Sequence, residues 1–448
     1  MLKTFSTGGI HPSENKLTAD KPITMLPVPE FVIIPVSQHI GAPATALVNK
    51  GDYVKTGQLI AAGKGFVTSN IHSSVSGKVN KIDTVIDSSG YKQTAIFIDV
   101  EDDIWIDTIN KSSEINKEIA LSPEEISIRC FECGIVGLGG ATFPSHVKLT
   151  IPEGKKCRVL IINSVECEPF LTSDHRLMLE KGEEILVGIT ILMKALKVDQ
   201  AMIGIENNKP DAIASLTKLS VAFKGITVHP LKVKYPQGAE KQLIKALINK
   251  EVPSGQLPID VGAVVHNVGT AFAVYEAVQK NKPLFERVVT VTGKSLANPG
   301  NFLVRIGTPV KMLIEATGGM PADTGKIVNG GPMMGRALNS TDVPVSKGTS
   351  GLILFPSCDS ERVAINPCIR CAKCVSVCAI SLEPFLLMNL SFNGFFERAE
   401  KEKITDCMEC GSCSYTCPAG RPILDYIRLG KSAVNKMKRE RSTTQNAT

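Results

Sequence analysis

Eight cysteines fall into two copies of one pattern, C-x2-C-x2-C-x3-C. The first copy is Cys368, Cys371, Cys374 and Cys378, and the second is Cys407, Cys410, Cys413 and Cys417. Three thiolates spaced in this way can wrap one corner of an iron–sulfur cube while the fourth cysteine reaches away. In two-cluster ferredoxins that fourth cysteine binds the other cluster. The spacing therefore points to two [4Fe–4S] clusters, one on Cys368, Cys371, Cys374 and Cys417, the other on Cys407, Cys410, Cys413 and Cys378. Zinc sites usually space their ligands as two separated pairs, which a triple run fits poorly. Disulfides are disfavoured because Met1 to Gly9 lacks the apolar core of a secretory signal. Clusters of this kind move single electrons, so the chain reads as a conductor. Pro418 follows the second run, but Ala379 follows the first. In the connector, Ser381 and Glu383 precede Pro384-Phe385-Leu386-Leu387, a helix start. A helical ferredoxin module over residues 360–430 is expected, rather than the compact β-hairpin kind.

A second chemical signal lies in Gly134-Ile135-Val136-Gly137-Leu138-Gly139-Gly140-Ala141-Thr142-Phe143-Pro144, a glycine-rich loop opening a helix near Ser145. Such a loop lets backbone N–H groups close on a phosphate, helped by the field of the helix N-terminus. Lys148 on the first turn can reach the same group. The loop is neither a P-loop nor a spaced dinucleotide fingerprint, so a nucleoside triphosphate is not implied. Next, Asn163-Ser164-Val165-Glu166-Cys167-Glu168-Pro169 follows a parallel strand directly, and ligands of α/β sheets bind at such carbonyl-end loops. Acidic and amide side chains there suit ribityl hydroxyls or a flavin edge. Phe143 offers a stacking surface for a nicotinamide or adenine ring. Cys167 has no histidine-based triad around it and reads as a small half-buried residue. Cys130 and Cys133 form a lone C-x2-C with no partner pair; they, Cys157 and Cys358 are assigned nothing.

The elements that must position these groups read as an α/β multidomain chain. After an N-terminal extension, 1–30, short β segments broken by glycines run over residues 31–102 and look like the barrel-sandwich module of biotinyl and lipoyl carriers. The carrier-tip position, Lys64, lacks the expected flanking residues and reads as an ordinary surface lysine. Residues 103–122 read as a linker. Over 120–285, strands at 158–162, 201–205 and 226–233 alternate with helices at 185–196, 210–223 and 239–248. That alternation argues for a parallel sheet with helices on its faces. Residues 286–357 resemble a small β-grasp ligand-binding module. Its Met333-Met334 pair reads as core filler.

A chain of 448 residues has room for several cores. No stretch reaches the ~18 uninterrupted apolar residues of a membrane span; the longest candidate, Val261 to Val278, is broken by His266, Asn267, Gly269, Tyr275 and Glu276. The net charge is +6, and 431–448 holds Lys431, Lys436, Lys438, Arg439 and Arg441 against Glu440, or +4 of it. This tail reads as a frayed, solvated end. With no basic stripe carrying aromatics, nucleic acid is not an expected partner.

Nearly the whole chain resembles the RnfC family, one of the subunits of the Rnf ion-translocating electron-transport complex. The resemblance rests on Phe5 to Pro12, Gln38 to Pro43, the Gly137 to Pro144 loop, Glu166 to Pro169, Gly330 to Gly335, and both cysteine runs. The middle region is similar to the flavin- and NADH-binding subunit of respiratory complex I. The resemblance implies FMN at Gly137, Gly139, Gly140 and Lys148, with Asn163, Glu166 and Glu168 beside it. Two further flavin-edge segments are implied at Gly238-Ala239-Glu240 and at Asn267 to Thr270. The first lacks one of the complex I acidic residues, and the second has His266 for an asparagine and Gly269 for an acidic residue. The family implies a peripheral subunit on the cytoplasmic side of the cell membrane. It would pass electrons between NAD(H), FMN and the two clusters, with membrane-embedded subunits and, through another subunit, ferredoxin as partners. The alternatives are an iron–sulfur relay or docking subunit without flavin, or a soluble corrinoid-reductase relative. The N-terminal position of the barrel-sandwich part disfavours the latter.

Overall fold

The computed structural model describes residues 2–445. Residues 31–102 form two small antiparallel sheets. The larger orders its strands Phe31–Pro35, Lys92–Asp102, Ser76–Ile86 and Tyr53–Val54, and the smaller joins Thr45–Ala46, Leu59–Ala62 and Ile71–His72. The period-2 rule sets their core. Val32 and Ile34 pair with Ile98 and Ile96, and all four are fully buried. Lys64 is exposed. Residues 106–121 carry no regular element, and the Lys280 ammonium ties this strap down through the carbonyls of Ser112 (2.9 Å) and Glu114 (2.5 Å).

The next unit is built on a four-stranded, all-parallel sheet ordered Ile226–Leu231, Ala201–Glu206, Val159–Asn163, Ala263–Asn267. Val159 and Ile161 pack on one face and Leu160 and Ile162 on the other, so both faces are covered. Helices Gly182–Leu196 and Val268–Lys280 cover one face, and Glu240–Ile248 the other. The chain runs outward from Val159–Asn163 to the strands on one side, then returns to place Ala263–Asn267 on its other side. The strand order therefore reverses between these two strands, and their carboxyl ends, Asn163 and Asn267, are register partners. The stretch weighed as a membrane span is the last strand of this sheet and the start of the helix after it. Among the described residues no helix is long and apolar enough to cross a membrane.

A six-stranded mixed sheet follows, ordered Ile23–Met25, Gly300–Arg305, Glu286–Thr292, Gly351–Pro356, Thr324–Asn329, Arg336–Ala337. Its first strand comes from the N-terminal residues, which are therefore woven into the fold. Phe5 is buried, and Ile10 bridges Tyr235. The methionine pair is not core filler. Met334 is 45% exposed, and the backbone of both residues is committed to Glu168. Beyond Ser357 the described residues hold helices and no strand, packed around Leu387, Met388, Ile404, Ile427 and Val434. The basic tail is not frayed over 431–445. It continues the helix Ile423–Gln445, in which Lys431 pairs with Glu409 (2.9 Å) and Arg441 with Glu400 (2.8 Å). The last three tail positions lie outside the described residues.

Candidate cofactor sites

The glycine loop sits over the point where the strand order reverses. Gly137 donates to the Phe143 carbonyl (2.9 Å), closing the loop on itself, and Ser145 donates back to Ile135 before the helix Ser145–Leu149 begins. Leu138 N–H donates to the Thr270 hydroxyl (2.9 Å), which pins the loop to the helix that starts at Asn267. Gly139 packs so closely that an added Cβ would lie 2.9 Å from the Asn267 Cβ, whereas one at Gly140, φ +146°, would meet nothing within 4 Å. The loop is thus fixed from below and open above. Phe143 is half-buried at its end.

The amides of the reversal point hold one another. Asn163 donates to the Gly238 carbonyl (2.7 Å); Asn267 donates to Asp174 (2.7 Å) and caps its own helix through Gly269 N–H (2.8 Å). Lys148 donates to Glu240 (2.8 Å) and to the Val265 carbonyl (2.9 Å). Beneath it His266 is buried and held neutral, its pKa lowered to about 3 by burial and then by Lys148. The His266 Nε2 and the Ser164 hydroxyl have no partner among the described residues. Gly137, Gly139, Gly140, Lys148, Asn163, Gly238, Glu240, Asn267 and Thr270 therefore converge on one cradle. It has exposed backbone at Gly139 and Gly140 and the Lys148 ammonium, which fits a phosphate-bearing ligand.

The two acidic residues of the Asn163–Pro169 segment are committed elsewhere. Glu166, at φ +46°, accepts from the N–H groups of Asp174 (2.7 Å) and His175 (3.1 Å), capping the helix Ser173–Glu180. Glu168 accepts from Met333 N–H (3.0 Å) and Met334 N–H (2.9 Å), and burial raises its pKa. Lys16, from the N-terminal residues, donates to the carbonyls of Glu166, Glu168 and Leu171. Sequence reasoning missed Lys16, Asp174 and Tyr235, because each acts through a contact distant in the chain. Burial and the neighbouring Glu166 carboxylate push the Asp174 pKa up. Cys167 is half-buried with its thiol pushed up by burial, and Cys130 and Cys133 lie in the core.

Two cysteines of the first run, Cys374 and Cys378, lie beside thiols of the second. Cys378 lines a small apolar cavity of about 20 Å³ together with Cys407, Cys410 and Cys413, walled by Ile380, Leu382, Leu387, Leu424 and Ile427. Burial, first, and the nearby thiols of Cys407, Cys410 and Cys378 push the Cys413 thiol up to about 12. Cys374 is raised by burial, and its thiol neighbour is Cys417 of the other run. Cys368 and Cys371 are exposed. Four thiols in an apolar cavity fit a group that takes thiolate ligands only. Among the described residues no three such side chains converge on one metal ion; a cube instead spreads its thiolates over different irons.

Known proteins bear on this arrangement. Residues 3–103 match the RnfC barrel sandwich hybrid domain, residues 130–276 the Nuo51 FMN-binding domain and residues 288–337 the SLBB domain. The chain is 47% identical over 437 residues to the C subunit of the proton-translocating ferredoxin:NAD(+) oxidoreductase complex of Clostridium ljungdahlii, covering 96% of this chain and 94% of that one. The chain belongs to the RnfC family. It is also 42% identical to the C subunit of the Na(+)-translocating ferredoxin:NAD(+) oxidoreductase complex of Acetobacterium woodii, covering 97% and 98%. The C subunit of the ion-translocating oxidoreductase complex of Rhodobacter capsulatus is 40% identical, covering 97% and 84%. In fold, the chain is similar to part of an air-oxidized NAD+-reducing nickel–iron hydrogenase, with a TM-score of 0.50 at 18% identity over 70% of this chain and 66% of that one. The complex I likeness of the middle region is thus the Nuo51 match, and the barrel-sandwich and α/β parts are as the sequence suggests.

Proposed function

We propose that this RnfC-family chain is the peripheral electron-input subunit of an ion-translocating NAD:ferredoxin oxidoreductase complex. It would bind FMN at the glycine-loop cradle and two [4Fe–4S] clusters at the crossed cysteine sets. We read the six-stranded sheet as a β-grasp module and the helical unit from 360 to 430 as a two-cluster ferredoxin module. The observation that carries the reading is the glycine loop, pinned by Leu138 to Thr270 over the strand-order reversal at Asn163 and Asn267. Open α/β sheets bind ligands there.

The chain's own residues then have definite tasks. Loop N–H groups around Gly139 and Gly140 and the Lys148 ammonium hold the phosphate, with Lys148 exchanging its contact with Glu240. Asn163 and Asn267 fix the edge of the cradle. Glu166 stabilises the turn beneath it rather than touching the ligand, and Phe143 gives a surface for the nicotinamide. Bound flavin would take hydride as an electron pair and yield electrons singly, which matches NAD(H) on one side and iron–sulfur groups on the other. Residues Cys368, Cys371, Cys374 and Cys417 hold one such group and Cys378, Cys407, Cys410 and Cys413 the other. The chain would sit on the cytoplasmic side of the membrane, membrane-embedded subunits would supply the ion path, and ferredoxin would exchange electrons through a partner subunit.

Composition tests this. Protein reconstituted without oxygen and extracted with acid is expected to yield one FMN and about eight irons per chain. Irons without flavin would support a bare relay instead, and zinc in place of iron would remove both readings.

A further inference from the structure

The four-thiol cavity of the second set is gripped from the flavin-domain side at three places. Tyr235, 1% exposed, donates its hydroxyl to the Cys410 carbonyl (2.8 Å), and Gln242, on the helix after Gly238, donates to the Ala379 carbonyl (3.0 Å). Gly9, whose neighbour Ile10 pairs with the Tyr235 backbone, donates to the Val377 carbonyl (2.9 Å). Behind Tyr235 stands Glu168, its Oε1 3.4 Å from the phenol oxygen, and it is itself fixed by Met333 and Met334 N–H. The phenol has one proton, and the shorter contact to Cys410 takes it. Among the described residues nothing comparable grips Cys368 and Cys371, which are exposed beside Ile369, 68% exposed.

We propose that Tyr235 is a positioning residue for the iron–sulfur group of Cys378, Cys407, Cys410 and Cys413. It fixes the Cys410 peptide to the loop that leaves the flavin sheet, which makes that group the inner of the two. The group on Cys368, Cys371, Cys374 and Cys417 is then the outer one, facing the partner that exchanges electrons with the chain. The proposal rests on the two-cluster reading above, which the iron and flavin content of the unaltered protein tests separately. A hydroxyl directed at a ligand peptide favours added negative charge on the group, so losing it lowers the reduction potential.

The experiment is a redox titration of the full chain followed by electron paramagnetic resonance, with Tyr235→Phe beside the parent. Tyr235→Phe is expected to move one of the two cluster signals to lower potential and leave the other in place. A soluble gadolinium chelate added to the parent should broaden the unmoved signal more strongly, because it belongs to the exposed set. Should Tyr235→Phe load poorly, an iron loss confined to one half supports the assignment, and Gln242→Ala is expected to move the same signal. Equal movement of both signals, movement of neither in both variants, loss of all the iron, or movement of the more accessible signal overturns the proposal.

Discussion

Gly140→Ala separates the binding role of the glycine loop from its role in folding. At φ +146° a side chain costs about 1–3 kcal/mol in backbone strain. There is no clash to add, since a Cβ at this position meets nothing within 4 Å. Gly90, in the hairpin of the barrel-sandwich domain, has the same property, with φ +83° and open space around an added Cβ. Gly90→Ala is therefore a matched control, with similar strain far from the cradle. If the open side of the loop is where FMN lies, the Gly140 methyl intrudes on the ligand. Displacing a phosphate contact worth about 1.5–3 kcal/mol weakens binding roughly ten- to hundredfold. The assay is anaerobic titration of flavin-free protein with FMN, read by quenching of flavin fluorescence, with thermal unfolding of both variants alongside. Similar melting losses are expected in the two variants, with weakened FMN binding in Gly140→Ala alone. Equal FMN affinity in both would refute the placement of the ligand over this loop.

Three further outcomes are expected. Lys148→Met should weaken FMN about ten- to hundredfold while altering thermal stability little, because its partner Glu240 is 39% exposed; unchanged affinity in the same fluorescence titration would mean the lysine stays with Glu240. Lys347 is buried against the Asn70 and Gly134 carbonyls, and burial lowers its pKa from 10.5 to about 7. The folded chain then binds fewer protons than the unfolded one above that value, so stability rises with pH, by about 1 kcal/mol between pH 7 and 8. Denaturant midpoints of Lys347→Met at pH 7 and 8 should lack that rise, and a rise equal to the parent's would contradict it. Finally, if the runs cross, Cys378→Ser should perturb the same paramagnetic signal as Cys407→Ser, and Cys417→Ser the same signal as Cys371→Ser. The opposite pairing would mean that each run holds its own cluster.

What the sequence made legible was local. The strands at 159–163, 201–206 and 226–231 and the helices between them follow from apolar spacing and punctuation, because each pattern is complete within a few residues. The spacing of the cysteine runs suggests the crossing, and Cys378 beside Cys407, Cys410 and Cys413 accords with it. What escaped depends on contacts between distant segments. Ile23–Met25 joins a sheet whose partner strand starts at Gly300, a pairing that no local pattern announces. The acidic pair suggested a flavin edge from its position after a parallel strand. Only the assembled fold shows Glu166 capping the helix at Ser173 and Glu168 spanning to Met333 and Met334. The basic tail looked frayed by composition, yet Glu409 and Glu400, on preceding segments, give its cations partners.

The most direct measurement counts electrons. The oxygen-free holoprotein is titrated with dithionite and followed by absorbance and paramagnetic resonance, with NADH added to a parallel sample. About four electrons per chain are expected, two for a flavin and one for each cluster, with bleaching of the flavin band by NADH alone. Uptake of two electrons or fewer, or a flavin band that dithionite bleaches and NADH does not, would contradict it.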